Sequence, residues 1–194
     1  MGSAGVFLAL ALFVYLGGWL PGERALEETV VGWASPPVIS IFQAFNYLGD
    51  KRVLLPATLL LLWSAPADLR RRWWLWAGVM VAAPLLEGVG KEIIGRLRPM
   101  GNAFGFPSGH ATAASAFFFL AAYLIGKRLD RSGAQVTLLW IGAATLITLV
   151  AVARIVLRAH WPGDTLGGAA LGLACVSLAA WYHERSAKAD GARA

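Results

Sequence analysis

Long stretches without a charged residue alternate with short polar joints along this chain. The uncharged runs are Met1 to Leu20, Val53 to Ala67, Trp73 to Leu86, Ala111 to Gly126, Ser132 to Ala153 and Thr165 to Tyr182. A helix that crosses a bilayer needs about 20 mostly apolar residues, with about 17 as the lower limit. The second, third and fourth runs must therefore extend past their bounding charges. The pattern predicts six spanning helices. The second starts near Phe45 and takes in Asp50, Lys51 and Arg52 near an interface, and the third continues through Glu87 and Lys91 to about Leu97. Residues 21 to 44 form the longest connection, punctuated by Pro21, Gly22, Pro36 and Pro37. Within it, Ala25 to Trp33 carries Glu27 and Glu28 on one side and Leu26, Val30 and Trp33 on the other, the pattern of a short helix lying at the outer interface. Trp19, Trp33, Trp73, Trp74, Trp76, Trp161 and Trp181 fall near predicted helix ends, where an aromatic belt places them. No repeat, low-complexity tract or long linker divides the chain, so residues 1 to 194 read as one domain.

Composition sharpens this picture. Hydrophobic residues make up 58% of the chain and charged ones 14%, and the mean hydropathy is +0.61, which is the balance of an integral membrane protein. Basic residues in the short loops orient it. Arg70, Arg71, Arg72, Lys127, Arg128, Arg131, Arg185, Lys188 and Arg193 all follow even-numbered helices, which makes that side cytoplasmic and puts both termini there. No Lys or Arg precedes Arg24, so the first run lacks the charged leader of a secretory signal and reads as the first helix. Cys175 is the single cysteine, midway along the sixth helix, which excludes an intrachain disulfide and argues against a thiolate role. The net charge of +6 is scattered over loop ends with no basic stripe, so nucleic acid is excluded as a partner.

Three blocks, KEIIGRLRP, FPSGH and ARIVLRAHWPGD, place ionisable groups at the ends of apolar segments between Lys91 and Asp164. An ionisable side chain at the centre of a bilayer costs roughly 2.5 to 3.5 kcal/mol or more, so such residues read as functional. Lys91 and Arg98 lie seven residues apart, two helical turns, so the third helix presents two cations from one face as far as it lasts; Pro99 disfavours helix at Arg98. Glu87, one turn before Lys91, either orients or neutralises it. Pro107 and Ser108 precede the fourth run directly, making Ser108 a natural N-cap and giving a helix terminus that binds phosphate. Gly109 leaves room for an anion to approach, and His110 stands at the mouth as a proton donor. Arg154 is followed by His160 and Asp164, with Pro162 suited to the first turn of the sixth helix. Asp164 then holds one imidazole nitrogen of His160 and leaves the other free. Such a histidine acts as a general base, a metal ligand or a nucleophile. Three surrounding cations repel a divalent ion, which favours covalent catalysis without metal.

Lys91 with Arg98 and Pro99, then Pro107, Ser108, Gly109 and His110, then Arg154 with His160 and Asp164, resemble the three-part signature of the type 2 phosphatidic acid phosphatase family. That family includes bacterial phosphatidylglycerophosphate and undecaprenyl diphosphate phosphatases and is related to vanadium haloperoxidases. The resemblance covers residues 91 to 164, and six helices match the family's membrane members. Ala153 departs from it, where the family usually has a serine, losing a hydroxyl near the phosphate. The resemblance implies that His160 attacks phosphorus to give a phosphohistidine, Asp164 holds its ring, and His110 protonates the leaving oxygen and then activates water. It also implies that Lys91, Arg98, Arg154, Ser108 and the Gly109 amide bind the phosphate oxygens, with no cofactor.

The expectation is an all-α, polytopic, outward-facing lipid phosphatase of the inner membrane, its site on the periplasmic or extracellular side. Its substrate is a membrane lipid phosphate or diphosphate: undecaprenyl diphosphate, phosphatidylglycerophosphate or phosphatidic acid. The short loop Met100 to Phe106 favours a slim headgroup. Arg158 stands beside the site, either against a second phosphate or in the interface. A phosphotransferase using the same phosphohistidine is the alternative. A transporter is less favoured, because the charges gather at one side of the membrane and no second set marks an exit.

Overall fold

The computed structural model of the protein describes residues 2–101, 103–129 and 133–191. Met1, Asn102, Arg131, Ser132 and Arg193, used above, lie outside the described residues, as does the side chain of Arg128. Helices α1 (Gly2–Tyr15), α2 (Glu23–Gly32) and α3 (Pro36–Asn46) lead to a 3-10 turn at Tyr47–Gly49. Then come α4 (Lys51–Ser64), α5 (Ala67–Arg71), α6 (Trp73–Ile94), α7 (Gly109–Leu129), α8 (Gly133–Val156) and α9 (Pro162–Gly191). Among the described residues the one strand-like pairing is an isolated bridge, Leu97 with Phe104. The fold is all-α and membrane-associated. Among the described residues three stretches are long and apolar enough to cross a bilayer: Gly109–Lys127, Gly133–Val156 and Pro162–Ala189.

Helix α7 is the centre, packed against α4, α6, α8 and α9. In lipid the hydrophobic effect between helices is weak, so close backbone approach by small residues takes over. A Cβ on Gly172 of α9 would stand 2.5 Å from the Thr112 carbonyl oxygen and 2.7 Å from the Ala116 nitrogen of α7. A Cβ on Gly168 would stand 2.5 Å from the Ser108 carbonyl oxygen. Ser115 Oγ donates across the same seam to the Ala169 carbonyl at 2.7 Å. Large side chains fill the end away from this seam, where Leu69, Trp76, Met80, Leu120, Leu124 and Val176 form the main core. Leucines such as Leu59, Leu138 and Leu178 face outward, as a lipid-facing surface requires.

Helix direction brings the C-terminal ends of α6 and α8 and the N-terminal ends of α7 and α9 together at one end of the bundle. Arg70, Arg71, Lys127, Arg185 and Lys188 fall at the opposite ends of these helices.

Four sequence expectations change. The segment predicted as one helix from Phe45 is broken at Tyr47–Asp50. Gly49 packs so close to His110 that an added Cβ would lie 2.9 Å from the His110 Cβ, and extended Asp50 caps α4 by accepting the Arg52 N–H at 2.8 Å. Helix α6 stops at Ile94 rather than near Leu97, because Gly95 takes the left-handed conformation at φ 63° and its N–H returns to the Lys91 carbonyl. The amphipathic stretch does form helix α2, but its acids divide: Glu23 and Glu27 are buried and Glu28 is exposed, while Leu26 is half-exposed and Trp33 is 80% exposed. Ion pairs with Arg96 and Arg158 supply the reason, as the site shows below. Finally, Trp76 is a fully buried core residue whose Nε1 donates to the Leu69 carbonyl rather than a side chain of the aromatic belt, while Trp19 and Trp161 meet edge to face beside Arg96.

Gly172→Val should lower the apparent unfolding temperature in detergent by about 5 °C or more, since overpacking against backbone costs about 1 to 3 kcal/mol. Gly78→Ala, at a position with no neighbour within 4 Å, should leave it unchanged. A thermal melt followed by tryptophan fluorescence checks both.

Candidate active site

Helix α8 carries Arg154 in its last turn and then stops sharply. Arg158 adopts φ 51°, and the Arg154 carbonyl accepts the N–H groups of Ala159 at 2.9 Å and His160 at 3.2 Å. This left-handed C-terminal turn doubles the chain back and seats His160 over the end of its own helix, fully buried. Pro162 opens α9 one residue after Trp161, and Asp164 falls in the first turn. Its Oδ2 accepts the Trp161 N–H at 3.0 Å, the reciprocal half of a capping box, and stands 3.4 Å from His160 Nδ1. That is ion-pair distance, longer than a well-formed N–H···O bond. Burial pushes His160 below the ordinary histidine range, the Asp164 carboxylate pulls it back up, and Arg154 and Arg98 push it down further. At neutral pH the ring is therefore neutral.

The start of α7 closes on the same point. The Ser108 N–H donates to the Asp164 backbone carbonyl at 2.9 Å, which ties the α7 terminus to α9. Ser108 Oγ and Arg154 Nε are buried and have no hydrogen-bond partner in the protein, while His160 Nδ1 has only the long contact to Asp164. Buried polar atoms left open cost about 1 to 3 kcal/mol each, so the first two mark a place for a polar ligand. His110, on the first turn of α7, feels the charges of Arg154, Asp50, His160 and Lys91. Arg154 NH1 is anchored by Asn46 Oδ1 at 2.6 Å.

The first block folds differently from its helical spacing. Lys91 remains on α6, ion-paired with Glu87. The Glu87 carboxylate also reaches α7, where a Cβ on Gly109 would stand 3.0 Å from its Oε1, so the space that glycine leaves admits this carboxylate. Arg98 leaves the helical face. The chain turns through Gly101, the Arg98 N–H returns to the Ala103 carbonyl, and Arg98 Nε donates to the Phe104 carbonyl at 3.1 Å. The guanidinium reaches the site from a tight loop and faces Arg154 and His160. Arg158 does not share the cluster. Its side chain, 46% exposed, pairs with Glu27 at 3.2 Å. Ala153 is fully buried at the end of α8. Among the described residues no three His, Cys, Asp or Glu side chains converge as ligands of a metal ion would.

Sequence reading missed Arg96, Glu23 and Asn46. Arg96 NH1 donates to Asp164 Oδ1 at 3.1 Å and to Glu23 Oε1 at 3.2 Å, and NH2 donates to Glu23 Oε2 at 2.7 Å. All three side chains are almost fully buried. Trp19 stacks on the guanidinium at 4.5 Å. Glu23 Oε1 further accepts the Gly163 N–H at 2.6 Å. A polar Asn46 amid apolar Phe42, Phe45 and Leu48 is a readable signal; Arg96 lies two residues from Arg98 in the same basic block, and nothing local distinguishes the two.

A membrane-embedded bundle with a histidine and carboxylate pair beside arginines and a helix N-terminus defines a lipid-phosphate hydrolase. The chain belongs to the PAP2 superfamily, whose family model matches residues 72–188. It is 29% identical over 188 residues to phosphatidylglycerophosphatase B of Bacillus subtilis (strain 168), covering 92% of each chain. A further relative, the lipid A 1-phosphatase of Porphyromonas gingivalis, is 36% identical over 102 residues, 51% of this chain and 21% of that one. The fold superposes on the crystal structure of a transmembrane PAP2-type phosphatidylglycerolphosphate phosphatase from Bacillus subtilis with a TM-score of 0.78 at 25% identity, covering 94% of this chain and 96% of that one.

Asn46→Leu leaves Arg154 without its anchor. Phosphate release should fall about tenfold, with the protein still eluting as one species in detergent, because a buried charge-assisted bond is worth about 1.5 to 3 kcal/mol.

Proposed function

We propose that this protein is an outward-facing phosphatase that removes the terminal phosphate of a membrane lipid through a phosphohistidine, without a metal ion. The observation that carries this reading is the buried His160, neutral, backed by Asp164 and facing Arg154 at the end of α8. With Nδ1 turned to Asp164, Nε2 carries the free lone pair. Its attack forms the N–P bond as the P–O bond to the lipid breaks, and His110 gives that oxygen its proton. Water then attacks phosphorus, His110 takes the proton back, and the N–P bond breaks to release phosphate. Phosphoryl transfer depends mostly on positioning and charge stabilisation. Lys91, Arg98 and Arg154, with Ser108 Oγ and the Gly109 amide, supply these to the three peripheral oxygens, and Glu87 orients Lys91.

Residues 1 to 194 act as one domain. Helices α1, α4, α6, α7, α8 and α9 make six crossings, with α2 at the outer interface. The basic residues at the end opposite the site support this reading, in which that end and both termini are cytoplasmic. Helices α1 and α4, with 14 residues each, span about 21 Å and need their flanking turns to complete a crossing. An apolar groove of about 880 Å³ between α1, α6 and α9, lined by Phe7, Leu12, Gly90, Ile94 and Leu178 among others, suits a lipid chain. Among slim headgroups, phosphatidylglycerophosphate is the first choice, supported by the name of the Bacillus subtilis relative; undecaprenyl diphosphate and phosphatidic acid follow.

Purified protein in detergent with EDTA should release phosphate from phosphatidylglycerophosphate, and His160→Ala and His110→Ala should each lose at least about 100-fold of that rate. Strong inhibition by EDTA, or near-normal turnover by His160→Ala, would overturn the mechanism. Depression of His160 keeps it neutral below its ordinary value of 6.5, so activity should hold as pH falls through that value and drop only at lower pH. An acid limb above 6.5 in kcat/KM would contradict it.

A further inference from the structure

Asp164 is gripped from behind by a pair of residues that no step above uses. One Asp164 oxygen faces His160 and the Trp161 amide; the other, Oδ1, accepts Arg96 NH1 at 3.1 Å. An arginine bound to a catalytic carboxylate presents a difficulty. It orients the carboxylate, but its positive charge cancels the negative charge that the carboxylate offers to an imidazolium. Glu23 removes that conflict. It binds both terminal nitrogens of Arg96, at 3.2 and 2.7 Å, and is itself locked by the Gly163 N–H at 2.6 Å and the Leu20 N–H at 3.2 Å. Arg96, Glu23 and Asp164 together carry one net negative charge, the same as Asp164 alone. The geometry is built for contact. A Cβ on Gly163 would stand 2.7 Å from Glu23 Oε1, and a Cβ on Gly105 would stand 2.6 Å from Asp164 Oδ2.

We propose that Glu23 and Arg96 form a charge-balanced clamp, two positioning residues that fix the Asp164 carboxylate against His160 while leaving its negative charge undiminished. The proposal rests on the phosphohistidine reading above. Glu23 comes from α2, so the clamp also makes that helix part of the catalytic apparatus. Buried ion pairs contribute little net stability compared with apolar replacements, so stability alone does not account for this pair, and its geometry around Asp164 points to a positioning role. The other groups that face His160, namely Arg154 of α8, Arg98 of the α6–α7 loop and His110 of α7, are left intact in every variant below.

The test is the pH dependence of kcat with phosphatidylglycerophosphate in detergent micelles, for wild type, Glu23→Gln, Arg96→Gln, the double variant, Arg96→Lys and His160→Ala. Glu23→Gln takes the clamp with Asp164 from a net charge of minus one to zero, so the acid limb should move to lower pH. Arg96→Gln takes it to minus two, so the limb should move to higher pH. Shifts of about half a pH unit or more in opposite directions are expected, with kcat down about tenfold in each and KM within about twofold. The double variant restores minus one and should return the limb to its wild-type position. A purely architectural pair would give no limb shift, or shifts in one direction, and either result overturns the clamp. Where a single variant fails to fold, the double variant and Arg96→Lys still decide: both preserve the charge sum, and a displaced limb in either one overturns the proposal. His160→Ala separates the two levels of argument. If it retains turnover, the phosphohistidine reading fails; if it is inactive and the limbs do not part, only the clamp fails.

Discussion

A carboxylate removed from water has to be surrounded by donors, and the arrangement of this protein's site end follows from how Asp164 meets that demand. Desolvation makes a lone buried charge untenable, so each oxygen of Asp164 collects partners. One takes Arg96; the other takes the Trp161 amide and faces His160. Its backbone carbonyl takes the Ser108 amide, which brings the start of α7 to the start of α9. The α6–α7 loop and the α8–α9 turn thus meet at one side chain, and the α1–α2 joint reaches it through Glu23 and Arg96. The α6–α7 loop is further pinned by Trp161 Nε1, which donates to the Leu97 carbonyl at 3.0 Å.

The same demand explains why α2 turns Glu23 and Glu27 inward while Glu28 stays exposed. On amphipathicity alone, a helix with Glu27 and Glu28 opposite Leu26, Val30 and Trp33 lays its apolar side on the protein or the membrane and its acids in water. Here Arg96, buried, and Arg158, half-exposed, offer partners to the two inward acids. Pairing Glu23 with Arg96 and Glu27 with Arg158 satisfies four charges at once and leaves Leu26 and Trp33 outside, where a bilayer interface accepts them. A hydropathy pattern fixes which residues share a face, but which face turns inward depends on partners supplied from distant parts of the chain.

That distinction marks how much was legible beforehand. Local signals read well: Pro162 at the start of α9, and the i, i+4 pairings of Glu87 with Lys91 and of His160 with Asp164. Ser108 does stand ahead of α7, but its Oγ makes no capping hydrogen bond. Long apolar runs correctly placed the bodies of α6 to α9. The breaks were harder. Nothing in the composition around Phe45 separates a continuous helix from two helices joined by a turn, because the turn exists to let Gly49 seat against His110, more than 60 residues away in sequence. Arg96 and Arg98 look alike as neighbours in one basic block. The left-handed turn at Gly95 sends Arg96 to the Asp164 carboxylate and Arg98 toward Arg154 and His160.

Two glycines show a consequence of this crowding. Gly105 and Gly163 carry no functional group, yet each stands where a single methyl would collide with a carboxylate oxygen of the Asp164 and Glu23 network. Under selection for activity they should be as immobile as the histidines. A mutational scan that read every inactive variant as lost chemistry would count them among the reactive residues. In this protein, empty volume is held as strictly as any functional group.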